Sequence, residues 1–111
     1  MSGPDIIAVL RDRGLTCTVQ VEPYLGAGGA GPRYGPAVTV EAFVDETRRK
    51  VRNALGEEVL SEATVFARLA TTAPEKSRIT LPSGRVAYVI ASKRRDGGGL
   101  PTPDHLEVFL T

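Results

Sequence analysis

Between Ile79 and Thr111, short alternating apolar segments are cut by two turn signals, Pro82-Ser83-Gly84 and Asp96-Gly97-Gly98-Gly99-Leu100-Pro101. Successive strand side chains point to opposite faces, so this period of two, punctuated by proline and glycine, predicts short antiparallel strands and disfavours helix. The flanking strands fall at 77–81 and 85–92, with a final one at 105–110. Twelve glycines and eight prolines in 111 residues extend the same grammar upstream.

Residues 16–22 set Cys17, Val19 and Val21 against Thr16, Thr18, Gln20 and Glu22, a half-buried strand. Residues 37–44 place Val38, Val40, Ala42 and Val44 on one face, and Asp45-Glu46 reads as a hairpin turn. The return strand, 47–55, sets Arg49, Val51, Asn53 and Leu55 opposite Arg48, Lys50 and Arg52, and Gly56-Glu57-Glu58 breaks it. Residues 59–69 resume the period with Ser61, Ala63, Val65, Ala67 and Leu69 on one side, although small residues there also suit a helix. At the N-terminus, Ser2 is placed to cap a short helix with Pro4 and Asp5 in its first turn, Ile6, Ile7 and Leu10 on one face and Gly14 at its end. The expected architecture is one mainly β domain over residues 1–111: a small antiparallel β-barrel or sandwich with a short N-terminal helix and a long Gly-rich loop.

That loop spans 25–36 and contains Gly26, Gly28, Gly29, Gly31, Arg33 and Tyr34. It has no Gly-Lys-Ser/Thr ending and leads into no helix, so it is not a phosphate-cradling loop. The reading is a long mobile connection that orders against a partner. Arg48, Lys50 and Arg52 project from one strand face at intervals of about 6.7 Å, a spacing that suits a phosphate backbone or an acidic partner. The commoner meaning of such a row is a solvated face or ion pairs with Asp45, Glu46, Glu57 and Glu58. Lys93-Arg94-Arg95 admits the same two readings.

Chemistry has few carriers. One cysteine and one histidine make neither an internal disulfide nor a zinc cluster, and neither metal nor cofactor is expected. No nucleophile can be assigned to His105, which is expected to hydrogen-bond at the start of a strand, and Cys17 reads as a small packed residue. No catalytic motif appears, so a non-enzymatic role is expected. Phe43, Phe66, Tyr88 and Phe109 are expected to pack in the core rather than stack bases. A net charge of +1 supplies no global cationic field for nucleic acid. No apolar run reaches the roughly 18 residues of a spanning helix, and the first residues lack a secretory signal, so synthesis in the cytoplasm and no membrane partner are expected.

The segment Leu81-Pro82-Ser83-Gly84-Arg85-Val86-Ala87-Tyr88-Val89-Ile90, followed by Arg95-Asp96-Gly97-Gly98-Gly99-Leu100-Pro101 and Asp104-His105-Leu106-Glu107-Val108, resembles the head-to-tail connector proteins of tailed bacteriophages. The resemblance is to the head-completion or stopper class, particularly from phages of actinobacteria, and its order of strand, long loop and strand pairs extends over most of the chain after Leu15. It implies a structural virion protein of the neck, made in the host cytoplasm, that assembles as a homo-oligomeric ring, closes the DNA-filled head and docks the tail. The implied partners are the portal or adaptor-side connector, the tail terminator or tail tube protein, and packaged DNA. In that class the long loop projects toward the channel or a neighbouring subunit, a role that would fall on residues 25–36. Arg48, Lys50 and Arg52 are then expected to face the DNA channel or acidic patches of an adjoining ring. The alternative is an OB-type single-strand nucleic-acid-binding module, which also joins a small barrel to long loops and basic strands.

Overall fold

The computed structural model describes residues 6–95 and 105–111; the expected cap at Ser2, Pro4 and Asp5 and the glycine turn at 96–101 lie outside them. The helix, α1 (Ile6–Asp12), buries Ile7 completely and ends where the sequence puts its glycine. Gly14, at φ +71°, lets its own amide reach the Arg11 carbonyl (2.9 Å) and the Leu15 amide reach that of Leu10 (2.9 Å). This is a Schellman closure, which satisfies carbonyls the last turn would leave bare.

Ten strands follow: β1 (Cys17–Glu22), β2 (Tyr24–Gly28), β3 (Gly31–Tyr34), β4 (Val38–Asp45), β5 (Arg49–Arg52), β6 (Glu58–Ser61), β7 (Ala63–Ala67), β8 (Arg78–Thr80), β9 (Val86–Arg95) and β10 (His105–Leu110). Six of them close an antiparallel barrel in the order β1-β4-β7-β10-β9-β8. Its interior is filled by Val19, Val21, Val65, Ile79, Val108 and Leu110, with Ala42, Ala63, Ala67 and Ala87 between them. Alternating small and large side chains is how a narrow barrel fills its bore without voids. That use explains the alanines of β7, whose composition alone also suited a helix.

The hairpin predicted at Pro82-Ser83-Gly84 joins β8 to β9, closed by amides of Gly84 on Leu81 (2.9 Å) and of Leu81 on Arg85 (2.9 Å). The one predicted at Asp45-Glu46 does not form. Asp45 instead accepts the Thr47 amide (3.0 Å) and hydroxyl (2.6 Å), a local bend that sends the chain off the sheet. The barrel order makes this unavoidable, since β4 already has β1 and β7 as neighbours. The hairpin lies later: β5 pairs with β6 across a turn in which Asn53 Oδ1 accepts the amides of Leu55 and Glu57, both at 3.0 Å. The break expected at Gly56 is therefore present, as the tip of a hairpin, with β5 ending earlier than expected, at Arg52.

The aromatic expectation holds for Phe109, which is buried, and is corrected for the other three: Phe43 and Phe66 are half-buried and Tyr88 is exposed, and none of the four belongs to the barrel interior. The bore accepts aliphatic side chains, and the rings lie on its outer wall, where Phe43 meets Phe66 at 5.8 Å and Phe66 meets His105 at 5.7 Å. Ile6 and Leu10 of α1 line a recess with these three rings, and Phe109 is nearly covered while Tyr88 is exposed.

Candidate functional site

The Gly-rich segment is not an open loop but a two-stranded ribbon, β2–β3, outside the barrel. Its tip needs only the pair Gly29-Ala30 to turn the chain, and its twist depends on two glycines in the left-handed region, Gly26 at φ +117° and Gly31 at φ +110°. The register slips between Tyr24 and Gly26, so Leu25 has no partner and stands 63% exposed. Glycine content, read only as entropic cost, concealed that these positions permit a bulge and a tight turn.

The ribbon is tied down at its base. Tyr24 and Tyr34 meet edge to face at 6.0 Å, Lys76 lies over Tyr24, and the Arg78 guanidinium lies 4.5 Å from the Tyr34 ring centre. Arg78 also donates two bonds to Glu22, at 3.0 and 2.6 Å, and the Tyr24 amide bonds to the hydroxyl of fully buried Ser77. Among the described residues, Arg33 and the glycines of the outer part have no such anchors at the barrel wall. The hydrogen bonds from Arg78, outweighing burial, hold the Glu22 carboxyl below its ordinary value.

A depressed carboxylate contributes stability that is fully present above its unfolded pKa, near 4.3, and is lost as pH falls through the lower folded value. Hydrogen-exchange protection factors of the 26–33 amides, each referred to the intrinsic exchange rate at its own pH, are therefore expected to fall as acid protonates Glu22, before those of the barrel amides respond. Arg78→Ala is expected to show the same low protection at neutral pH. Unchanged protection in the variant would show that the ribbon does not rest on this clasp.

The basic row is arranged differently from its sequence appearance. Arg48 lies just before β5 and pairs with Glu62 at 2.8 Å; Lys50 stands 3.8 Å from Glu58, and Arg52 donates to the Gly56 carbonyl at 2.7 Å. Arg49, on the other face of the ribbon, pairs with Asp45 at 2.9 Å. Lys50 and Arg52 nevertheless border a groove of about 680 Å³ between β5 and the outer wall of β9–β10. Lys93 and Arg95 form its opposite side.

A bulge in β9 sets that side. The pairing passes from Ala91 opposite Phe109 to Val89 opposite Leu110, leaving Ile90 unpaired. The extra residue reverses the alternation, so Val89 faces the bore whereas Lys93 and Arg95 share the outer wall with Glu107 and Phe109. Lys93 lies 5.7 Å over the Phe109 ring and Arg95 reaches Glu107 at 3.3 Å. Burial alone would push Glu107 up, but hydrogen bonds and charge from His105 and Arg95 prevail and hold its carboxyl down. Sequence reading missed the convergence of β5 and β9, which lie some forty residues apart; the available signal was two basic pairs of matching spacing, Lys50 with Arg52 and Lys93 with Arg95.

Neither reactive side chain stands in a catalytic arrangement. His105 begins β10 as expected, with Nε2 at 3.3 Å from Glu107 and its ring against Phe66. Cys17 is half-buried against the core, and burial pushes its thiol up, away from the nucleophilic thiolate. No cluster of three or more metal-binding side chains occurs among the described residues. No described helix is long and apolar enough to cross a membrane. Compared with known proteins, the sequence matches no family model and no curated protein.

Proposed function

We propose that this chain is a non-enzymatic structural subunit of the tailed-phage neck, a head-completion or stopper protein that assembles as a ring, closes the DNA-filled head and docks the tail. The observation that carries the reading is the division between barrel and ribbons. Every barrel strand has a hydrogen-bonded neighbour on each side, so the closed barrel leaves only short stretches, such as residues 91–95 of β9, with a single partner. Among the described residues, the edges that run the length of a strand belong to β2–β3 and β5–β6, each a ribbon of two strands with no sheet of its own to join. Two-stranded ribbons gain little stability alone, and edges of this kind are natural templates for pairing with another chain. The sequence resemblance gives these arms their setting, a ring in which each weak contact is repeated by cyclic symmetry. Its neighbours in the virion would be the portal or adaptor-side connector and the tail terminator or tail tube.

Light scattering on the purified chain, alone and mixed with those neighbouring neck proteins, tests the reading. Ring-sized particles in at least one mixture are the expected result. A mass that stays monomeric in every mixture would overturn it.

The second reading, a single-strand nucleic-acid module of the OB type, is favoured by the basic groove. Against it, the barrel has six strands, all antiparallel, where the OB fold has five. Phe43 and Phe66 border the recess beside α1 and do not line that groove, so they offer it no stacking platform.

A further inference from the structure

We infer that the groove between β5 and the β9–β10 wall is a binding site for the phosphodiester backbone of nucleic acid. Its cations are Arg49, Lys50 and Arg52 from the ribbon and Lys93 and Arg95 from the barrel. Glu58 and Glu107 are the two carboxylates that line it, and Asp45 holds Arg49 at its edge, which leaves a local excess of two positive charges in a chain whose whole formal charge is +1. Charge that is nearly balanced overall has been gathered at one concave place, where opposing rows add their fields.

The chemistry of the lining selects the ligand. A protein partner would ask for an apolar, desolvated centre with few lysines and glutamates. Here the residues besides the charged ones are half-buried Val51 and nearly covered Phe109, which already carries Lys93. No amide or hydroxyl side chain that would read adenine lines the groove, and its cations are spaced as a row that meets phosphate oxygens first. What is left is recognition of a repeating anion irrespective of sequence. The rows fit a repeat, because Lys50 and Arg52, like Lys93 and Arg95, stand two residues apart on a strand, about 6.7 Å. The ion pairs already present do not close the site. Those of Lys50 with Glu58, Arg95 with Glu107 and Arg49 with Asp45 leave the cation about half or more exposed, and pairs of that kind exchange readily for a stronger anion.

For its biological setting, contact with DNA in the neck, the inference rests on the reading above; for binding in solution it stands on the groove. The test is fluorescence anisotropy of the full chain with a short labelled single strand and, separately, its duplex, over a salt series. Light scattering on the same samples records their mass. Two uncompensated charges, Arg52 and Lys93, predict a slope of log affinity against log salt near −1.4 on the single strand, about a sevenfold loss between about 50 and 200 mM. Arg52→Gln with Lys93→Gln is expected to remove most of that slope and to lower affinity about tenfold on either probe. Glu58→Gln, which frees Lys50, is expected to tighten binding about two- to fivefold, a gain that misfolding cannot produce.

Stronger binding to the single strand or to the duplex tells which form the groove takes, and either supports the site. Absence of binding to both probes at the lowest salt, or binding indifferent to both variants, would overturn it. Preference for a poly-glutamate peptide over both nucleic acids would overturn it too, and assign the groove to an acidic protein. Rings without nucleic-acid binding would sink this site alone; a monomer that binds would sink the neck reading alone.

Discussion

Shortening Leu110 to alanine is expected to lower the free energy of unfolding by about 2–5 kcal/mol, a large part of the roughly 5–15 kcal/mol that holds a small domain together. The side chain is completely buried, and it sits where several elements meet. Leu110 pairs with Ala63 on one side and Val89 on the other, and its carbonyl accepts the Glu62 amide at 3.0 Å, with the hydroxyl of buried Ser61 at 2.9 Å. Alanines at 63 and 87 are too short to move into the space left, so the cavity term adds to the transfer term. Urea denaturation measures the loss. Leu55→Ala is the control: at 83% exposed on a ribbon tip, it is expected to stay within about 0.5 kcal/mol of the parent. A Leu110→Ala cost under about 1 kcal/mol would show that the bore is not packed around this residue.

The second large effect falls on assembly and leaves the fold intact. Replacing residues 26–33 by an Asn-Gly turn removes the outer part of β2–β3 but keeps Tyr24, Tyr34, Arg78 and Glu22. No residue in that segment is buried, so the melting temperature is expected to remain within a few degrees of the parent. Ring-sized particles, by contrast, are expected to disappear from the mixtures in which the intact chain forms them. Exposed Leu25, at the bulge, then loses the ribbon that presents it. Rings that persist after the excision would remove this arm from the interface and leave β5–β6 as the remaining unpaired edge.

What was legible in the sequence is what local chemistry decides. Gly14 ends α1 because its backbone conformation needs no neighbour's permission, and Pro82-Ser83-Gly84 turns β8 into β9 for the same reason. The mainly β barrel and the interior faces of β1, β4 and β7 follow from periodicity. Which strand pairs with which is not local. Asp45-Glu46 has hairpin chemistry, but β4 was already flanked, and the turn was made instead at Asn53. The ribbon at 24–34 escaped notice because its two anchoring tyrosines are separated by glycines that read as disorder. In β9, an unbroken period of two would put Lys93 on the face of Val89; one unpaired residue, Ile90, moves it to the wall where the basic groove lies. Arg48, singled out with Lys50 and Arg52, is engaged with Glu62 beyond the groove, and the lining takes Arg49 from the opposite face of the same strand.

The strand order has a consequence for how the molecule is made. β10 lies between β7 and β9, and β1 is closed by β8, so neither seam can be sealed by the part of the chain that leaves the ribosome first. At synthesis rates of about 5–20 residues per second, β1 and β4 wait several seconds for their last neighbours, with Val19, Val21 and one edge of β7 uncovered meanwhile. Early helpers are few, since the two ribbons can zip locally while the barrel depends on distant pairings. Emergence of Leu110 is then the event that converts an open, sticky curl into a sealed cylinder. Wherever many copies are made at once, that interval, more than the finished barrel's strength, sets how much of this protein reaches its folded form.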